Sequence, residues 1–426
     1  MKKIGLKIFP KVFVADKKQK IYVQCNSKYV EEGTVPCIKI QPMEIYAIPH
    51  TKLYRVDEEE RYSFEKMQAV GDGLYMLEYA FFEEQKYDVK IKLGEEVVYR
   101  THVYSVKEDL LGINVFKGDT HLHTDRSDGE GTPFEVGCGY RAAGYDFIAI
   151  TDHHLYQPSL EGKEIFERLT DKFKIFKGEE VHNRGMGYVH IINFDGDFSV
   201  NEIIETQDDY VQKEVERILC TTDFEENVAD KYDCAYRIFV SEQIRKGNGV
   251  AIMAHPYWDC YGEYHMPTTT VEYLLKHGHY DALELLAGCD IEGQNGSNLQ
   301  VALWGDLRAQ GIKIPVLGAS DSHSCVAEDS RFNKQYSLIF AKNAEGIKEA
   351  IKAERSVAVL TDDLTNYLVF GQYRFVKYAR FMMDEYFPQY VKLARKHALA
   401  LSQQDQSKIK KAEREIEAYQ KEFFVW

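Results

Sequence analysis

Paired cysteines, long apolar runs and surplus positive charge are all missing from this 426-residue sequence. Its eight cysteines (Cys25, Cys37, Cys138, Cys220, Cys234, Cys260, Cys289 and Cys325) are scattered, with no CxxC spacing. That excludes a compact thiolate zinc motif and suits free thiols in a reducing compartment. No apolar stretch approaches the ~18 residues of a membrane span. In the opening MKKIGLKIFPKVFVADKKQK, Lys7, Lys11, Lys17 and Lys18 break any signal-peptide core. A cytoplasmic protein without a membrane partner is expected. The net charge of −15, from 53 basic and 68 acidic residues, argues against nucleic acid held by a broad basic surface. An anionic small molecule in a locally positive site remains compatible with it. With 44% hydrophobic and 28% charged residues the composition is that of a globular protein, and the length suggests two or three domains.

The first ~110 residues read as a β domain, here bounded at 1–112. Segments Lys20–Cys25, Cys37–Ile40, Gly73–Phe82, Tyr87–Lys92 and Glu96–Ser105 are β-branched or aromatic and several alternate apolar with polar. Turn residues between them suggest a small sandwich, and nothing in it has catalytic spacing. From about Gly112 the rhythm becomes strand, loop, helix. Strand-like runs lie at Val115–Phe116, Phe147–Ile150, Lys174–Phe176, Val189–Phe194, Val250–Met253, Ala282–Leu286 and Lys313–Leu317. Thr132, Pro133 and Glu135 form a capping-box start for one helix, with Gly144 as its stop. Such repeats imply a largely parallel sheet or barrel over 113–360. Residues 201–234 are acidic and read as a helical insertion, a candidate lid. Beyond 361 the chain is helical, with Ile409, Ala412, Ile416, Tyr419 and Phe423 on one face. These helices are expected to pack on the barrel or to mediate oligomerisation.

Eleven of the fourteen histidines lie between His121 and His323, and they follow strand-like runs: His121-Leu122-His123, Asp152-His153-His154, His255-Pro256 and Asp321-Ser322-His323. Functional side chains converge at strand C-termini in β/α barrels. Each pair alone is a weak signal, whereas their conjunction in chain order points to a polynuclear metal site.

The order HLHT, SDG, TDHH, GEE, H, AHP, SDSH resembles the PHP (polymerase and histidinol phosphatase) superfamily of metal-dependent hydrolases, over residues 113–360. The resemblance implies a distorted (β/α)7 TIM-like barrel holding two or three divalent ions at its strand ends, with an N-terminal β domain and a C-terminal helical tail added. It implies one ion on His121, His123, Glu180 and Asp321. A second would sit on Glu180, His190 and His255 with Glu180 bridging, and a third on Asp128, His153 and His323. Glu180 is preferred over Glu179, and His190 over His182. Imidazole and carboxylate donors without thiolate suit Zn²⁺, Mn²⁺ or Fe²⁺. The ions' charge outweighs the three carboxylates and favours an anionic substrate at short range despite the acidic chain.

The implied activity is hydrolysis of a small phosphorylated metabolite or nucleotide by a water bridging two ions, with Glu180, His154 and Arg184 in catalytic positions. Arg184 is either a phosphate clamp or a solvated loop residue. Asp152 either orients a ligand or caps a turn, and Glu284 is either a support for a ligand or a local cap. Tyr257 and Trp258 are candidate pocket walls. The same ligand set would serve a carboxyl or carbamate ester, and a protein whose β domain binds a partner or glycan is the reading from another class.

Overall fold

The computed structural model describes residues 5–26, 34–44, 63–183, 189–260, 262–288, 294–326, 331–362 and 366–424. They form a mixed α/β protein that divides into two units. The first comprises Met1–Ile113 with Lys377–Tyr390 and Arg414–Trp426, the second Asn114–Val376 with Val391–Glu413.

In the first unit, strands Leu6–Phe9, Lys17–Cys25, Leu74–Phe81 and Gln68–Gly71 pair antiparallel in that order. A second sheet runs Val12–Val14, Glu96–Val106, Lys86–Leu93, Cys37–Pro42 and Glu65–Lys66. Alternation sends Ile21 and Val23 from the first sheet, and Tyr87, Val89 and Ile91 from the second, into one buried core. There the Phe13 and Phe81 rings stack at 4.0 Å. Two sheets sharing one apolar face make a sandwich.

The second unit also contains two main sheets. One runs Lys174–Phe176, Phe147–Ala149, Asn114–Asp119, Gln335–Ala341, Ser356–Thr361 and Tyr367–Gly371; the other Gly178–Val181, Ile191–Phe194, Val250–Met253, Ala282–Ala287 and Val316–Ala319. The parallel pairs are those around Phe147–Ala149 and around Ala282–Ala287. The mixture departs from the expected largely parallel sheet or barrel, and connection length explains part of it. Only residues 182–190 separate Gly178–Val181 from Ile191–Phe194, and they pair antiparallel; a parallel crossover needs a dozen or more residues. A single residue, Lys177, carries the chain from one sheet to the other. Phe147, Phe176, Phe194, Ile252, Leu317 and Ile339 from both sheets fill a common core.

Helices cover the outside. Pro133–Ala142 starts with the full capping box: Thr132 accepts from the Glu135 amide, and the Glu135 carboxylate accepts from Thr132 N at 2.8 Å. The acidic stretch folds into helices Val200–Thr206, Asp208–Thr221 and Lys231–Lys246, whose Val211, Val215, Ile218 and Ile238 sit in a buried cluster with Val181, Ile191 and Met253. The C-terminal region is three helices, Tyr373–Glu385, Phe387–Ser402 and Gln406–Phe423, with Pro388 near the start of the second. Within the second unit, buried Arg141 donates to His397 Nδ1 at 3.0 Å, and Thr170 Oγ1 donates to Glu413 at 2.7 Å. Among the described residues no helix is long and apolar enough to cross a membrane.

Candidate metal centre

Two isolated parallel bridges, Leu122 with Ser322 and His153 with Glu180, join strand extensions at one end of the second unit's sheets. Backbone bonds tighten that end: His123 N donates to Ser322 O (2.9 Å), Asp321 N to His121 O (2.9 Å), Thr151 N to Leu122 O (3.0 Å) and Glu180 N to Thr151 O (3.2 Å). Buried Asp119, at the end of Asn114–Asp119, accepts from the amides of His121 (3.2 Å) and Ser320 (3.1 Å). The alternation that buries Leu122 leaves His121 and His123 with a shared outlook. His255 and Asp321 both adopt positive φ, +23° and +49°, as does His154 at +60°. Non-glycine residues held there store backbone strain, which clusters at functional sites.

Glu180 occupies the middle. Its Oε1 lies 2.7 Å from His190 Nδ1 and 3.5 Å from His255 Nε2. Its Oε2 lies 2.7 Å from His153 Nδ1, 3.4 Å from His182 Nε2, 3.5 Å from His121 Nε2 and 3.7 Å from His123 Nε2. Asp321 Oδ1 is 3.2 Å from His121 Nε2 and 2.9 Å from His123 Nε2. At the exposed edge, Asp128 approaches His323 (3.3 Å), His153 (3.5 Å) and His123 (4.0 Å). The nine residues named as ligands thus lie in one continuous cluster. Glu179, its side chain pointing to the opposite face of the strand, is fully occupied by Asn193, Ser199, Asn201 and the amide of Val200.

The cluster's hydrogen bonding is incomplete in a way that suits cations. Buried Glu180 Oε2, His121 Nε2, His123 Nδ1 and His255 Nδ1 have no hydrogen-bond partner, a costly condition unless something else binds them. The charge balance leads the same way. Burial works against ionisation, yet His190, His121, His182 and His153 hold the Glu180 carboxyl well below its ordinary range. Burial likewise opposes the charge of Asp321, but His121 and His123 keep it far below the usual range. Hydrogen bonds from His153 and His323 do the same for Asp128. In exchange, and against burial, Glu180 and Asp128 lift His153 to about 10, while Glu284, Asp321 and Glu180 lift His121 well above its usual value. Burial depresses His123 to about 4 and lowers His182 and His190. Protons gather on some imidazoles to balance crowded carboxylates, a role that divalent cations on the same donors would take over. Groups of three or four donors within mutual reach include His121/His123/Glu180, His121/His255/Asp321, Glu180/His190/His255 and His123/Asp128/His153/His323.

Glu284 accepts from His255 N (3.1 Å) and pairs with His121 Nδ1 (2.9 Å), so it holds two of the candidate ligands. Asp152 accepts from Thr124 N (2.8 Å), Thr124 Oγ1 (2.7 Å) and Ser127 Oγ (2.6 Å), holding the turn that carries Asp128. His154 is exposed, its ring 4.5 Å from that of His182. Arg184 lies outside the described residues. A guanidinium that sequence reasoning missed is that of Arg331, 3.8 Å from Asp321 Oδ2. The half-buried Trp258 ring lies 5.6 Å from His255 and 5.8 Å from His190. Buried His265, also missed, lies 4.7 Å from His190, on the far side of the hairpin Asp259–Cys260/Glu263–Tyr264. Flanking His190, a cavity of 350 Å³ is lined by Asn183, Val189, Ile204, Val211, Tyr232 and Tyr236, so the acidic helices form one of its walls.

No family model matches the chain, and no curated protein matches it. Solved structures similar to it include a two-domain protein containing a predicted PHP-like metal-dependent phosphoesterase from Bacteroides vulgatus, at 20% identity and TM-score 0.43 over 64% of this chain and 71% of that one. An amidohydrolase from Chromobacterium violaceum, with bound sulfate and no metal, is similar at 18% identity and TM-score 0.32 over 50% of this chain and 89% of that one.

Proposed function

We propose that the chain is a PHP-type metal-dependent phosphoesterase acting on a small phosphorylated metabolite or nucleotide, its two sheets forming the wall of a distorted (β/α)7 barrel. The observation that carries this reading is the buried Glu180 Oε2, without a hydrogen-bond donor yet surrounded by four imidazole nitrogens. His121, His123, Glu180 and Asp321 would hold one ion, Glu180, His190 and His255 another, and Asp128, His153 and His323 a third. Zn²⁺, Mn²⁺ or Fe²⁺ bound there would supply Lewis acidity and lower the pKa of a coordinated water.

The chain's own groups do the rest. Glu284 fixes the tautomer of His121 so that Nε2 faces the carboxylates. Asp128, 57% exposed at its side chain, and His323 mark the edge open to a solvated anion. Arg331 provides a planar donor fork for phosphoryl oxygens, and this guanidinium favours a phosphoester over a carboxyl or carbamate ester. Trp258, beside His255, offers a flat surface for the organic part of the substrate. In the N-terminal unit no comparable donor cluster occurs among the described residues.

Parallel hydrolysis of p-nitrophenyl phosphate, bis-p-nitrophenyl phosphate and p-nitrophenyl acetate by Mn²⁺-reconstituted protein tests the reading, with His255→Ala as control. Phosphate release that disappears in the variant is expected. Acetate turnover alone, equally dependent on His255, would replace it with the ester-hydrolase reading.

A further inference from the structure

His182 stands outside the ligand set that the PHP resemblance supplies, yet it is built into the cluster. Its backbone N–H donates to Asn201 Oδ1 at 3.0 Å, and Asn201 Nδ2 donates to Glu180 O at 2.9 Å. One side chain on the helix Val200–Thr206 thereby sets the spacing of Glu180 and His182 along their strand extension. The imidazole is buried. Its Nε2 is 2.8 Å from His153 Nδ1 and 3.4 Å from Glu180 Oε2, and the latter two atoms are 2.7 Å apart.

The bond between His153 and His182 leaves that triangle unsatisfied. His153 Nδ1 carries at most one proton, and giving it to His182 leaves Glu180 Oε2 without a donor, the condition found. A single cation would satisfy all three atoms together, since ligands at about 2.0–2.2 Å from a first-row ion stand roughly 2.7–3.5 Å from one another. The His153 ring also separates this triangle from the exposed group, because Asp128 is approached by Nε2 (3.5 Å), the nitrogen on its other edge.

From this geometry we infer that His182 is a metal ligand, completing with Glu180 Oε2 and His153 Nδ1 a position distinct from the one at Asp128, His153 and His323. The inference rests on the metallohydrolase reading above. His153 then serves two positions through its two nitrogens, and the His154 ring lies 4.5 Å from that of His182, tilted by 31°.

The test is metal content rather than turnover. Full-length wild type, His182→Ala, Asp128→Asn and the double variant are loaded with Co²⁺ and gel-filtered. Bound cobalt is then counted by mass spectrometry and its ligand-field absorption recorded, with circular dichroism verifying the fold. Each single variant should lose up to one equivalent, and the double variant more than either. Wild-type content and spectrum in His182→Ala would overturn the inference, as would a double variant that loses no more than Asp128→Asn. Should His182→Ala misfold, His182→Asn, which keeps a polar group but shortens its reach, decides by the same count. A wild type that retains no cobalt would instead refute the metallohydrolase reading itself.

Discussion

Glu284 offers a quantitative check on the centre because each of its two carboxylate oxygens is committed. Oε1 pairs with His121 Nδ1 at 2.9 Å, and Oε2 accepts from the His255 amide at 3.1 Å. A carboxamide of the same shape has one acceptor and one donor, so Glu284→Gln must set an NH₂ group against one of those N–H groups. If it faces His255, a buried hydrogen bond is lost at a cost of about 1–3 kcal/mol. If it faces His121, the ring must keep its proton on Nε2, which withdraws the lone pair that a bound ion would need there. Either outcome disturbs a ligand through its support, for which the usual penalty is about 10–100-fold in metal affinity, or about 1.4–2.7 kcal/mol. Competition for Zn²⁺ against a chromophoric chelator at pH 7.5 measures it directly. Glu179→Gln is the matched control, equally buried on a neighbouring position but bonded to Asn193, Ser199 and Asn201; it should cost stability and leave affinity within about threefold. A Zn²⁺ affinity for Glu284→Gln within about threefold of wild type would refute the reasoning.

Further outcomes follow from other parts of the molecule. Chelation should lower the melting temperature of the second unit by about 5–10 °C relative to protein at 100 Kd of metal, which corresponds to about 2.7 kcal/mol, readable by calorimetry. Arg331→Met should reduce kcat/KM for p-nitrophenyl phosphate about a hundredfold and that for p-nitrophenyl acetate far less. Burial, aided by Arg141, Lys410 and Lys172, holds His397 at about 3. The folded state therefore resists a proton that the unfolded chain accepts near 6.5, and the stability that this supplies is whole above pH 6.5 and lost as pH falls toward 3. Between pH 7 and pH 5 the loss is about 2 kcal/mol, so urea titrations of His397→Gln should show a pH dependence flatter by that amount. Gly118→Ala should destabilise by about 2 kcal/mol or more, read as a shifted urea midpoint, because a Cβ there would meet the buried Phe147 ring at 1.9 Å.

Much of the centre was legible because its chemistry is local. Histidine and aspartate placed just past short apolar runs announce strand ends, and the capping box at Thr132–Glu135 announces a helix without any tertiary information. What escaped depends on chain reversal. Fully buried strands such as Ile191–Phe194 and Val250–Met253 carry no alternation that tells parallel from antiparallel pairing, so the reversals that split the second unit into two sheets left no mark in periodicity. Trp258 and His265 come together only because a hairpin with Gly262 at φ +87° folds the chain back. Arg331 meets Asp321 at a separation of ten positions, a spacing that says nothing of direction. His182 did carry a signal: two residues after Glu180, it falls on the same face of an extended segment.

The single-residue bridges at Leu122–Ser322 and His153–Glu180 have a consequence for how the protein matures. The first joins residues two hundred apart and the second joins two that lie between them, so the donor atoms come into register only when the strand before Ser322 has docked. A nascent chain that stops before Asp321 possesses most of the histidines but lacks the carboxylate that organises His121 and His123. Ion capture at these donors would therefore be a late event, and a metal-loaded molecule would certify that its own topology is complete.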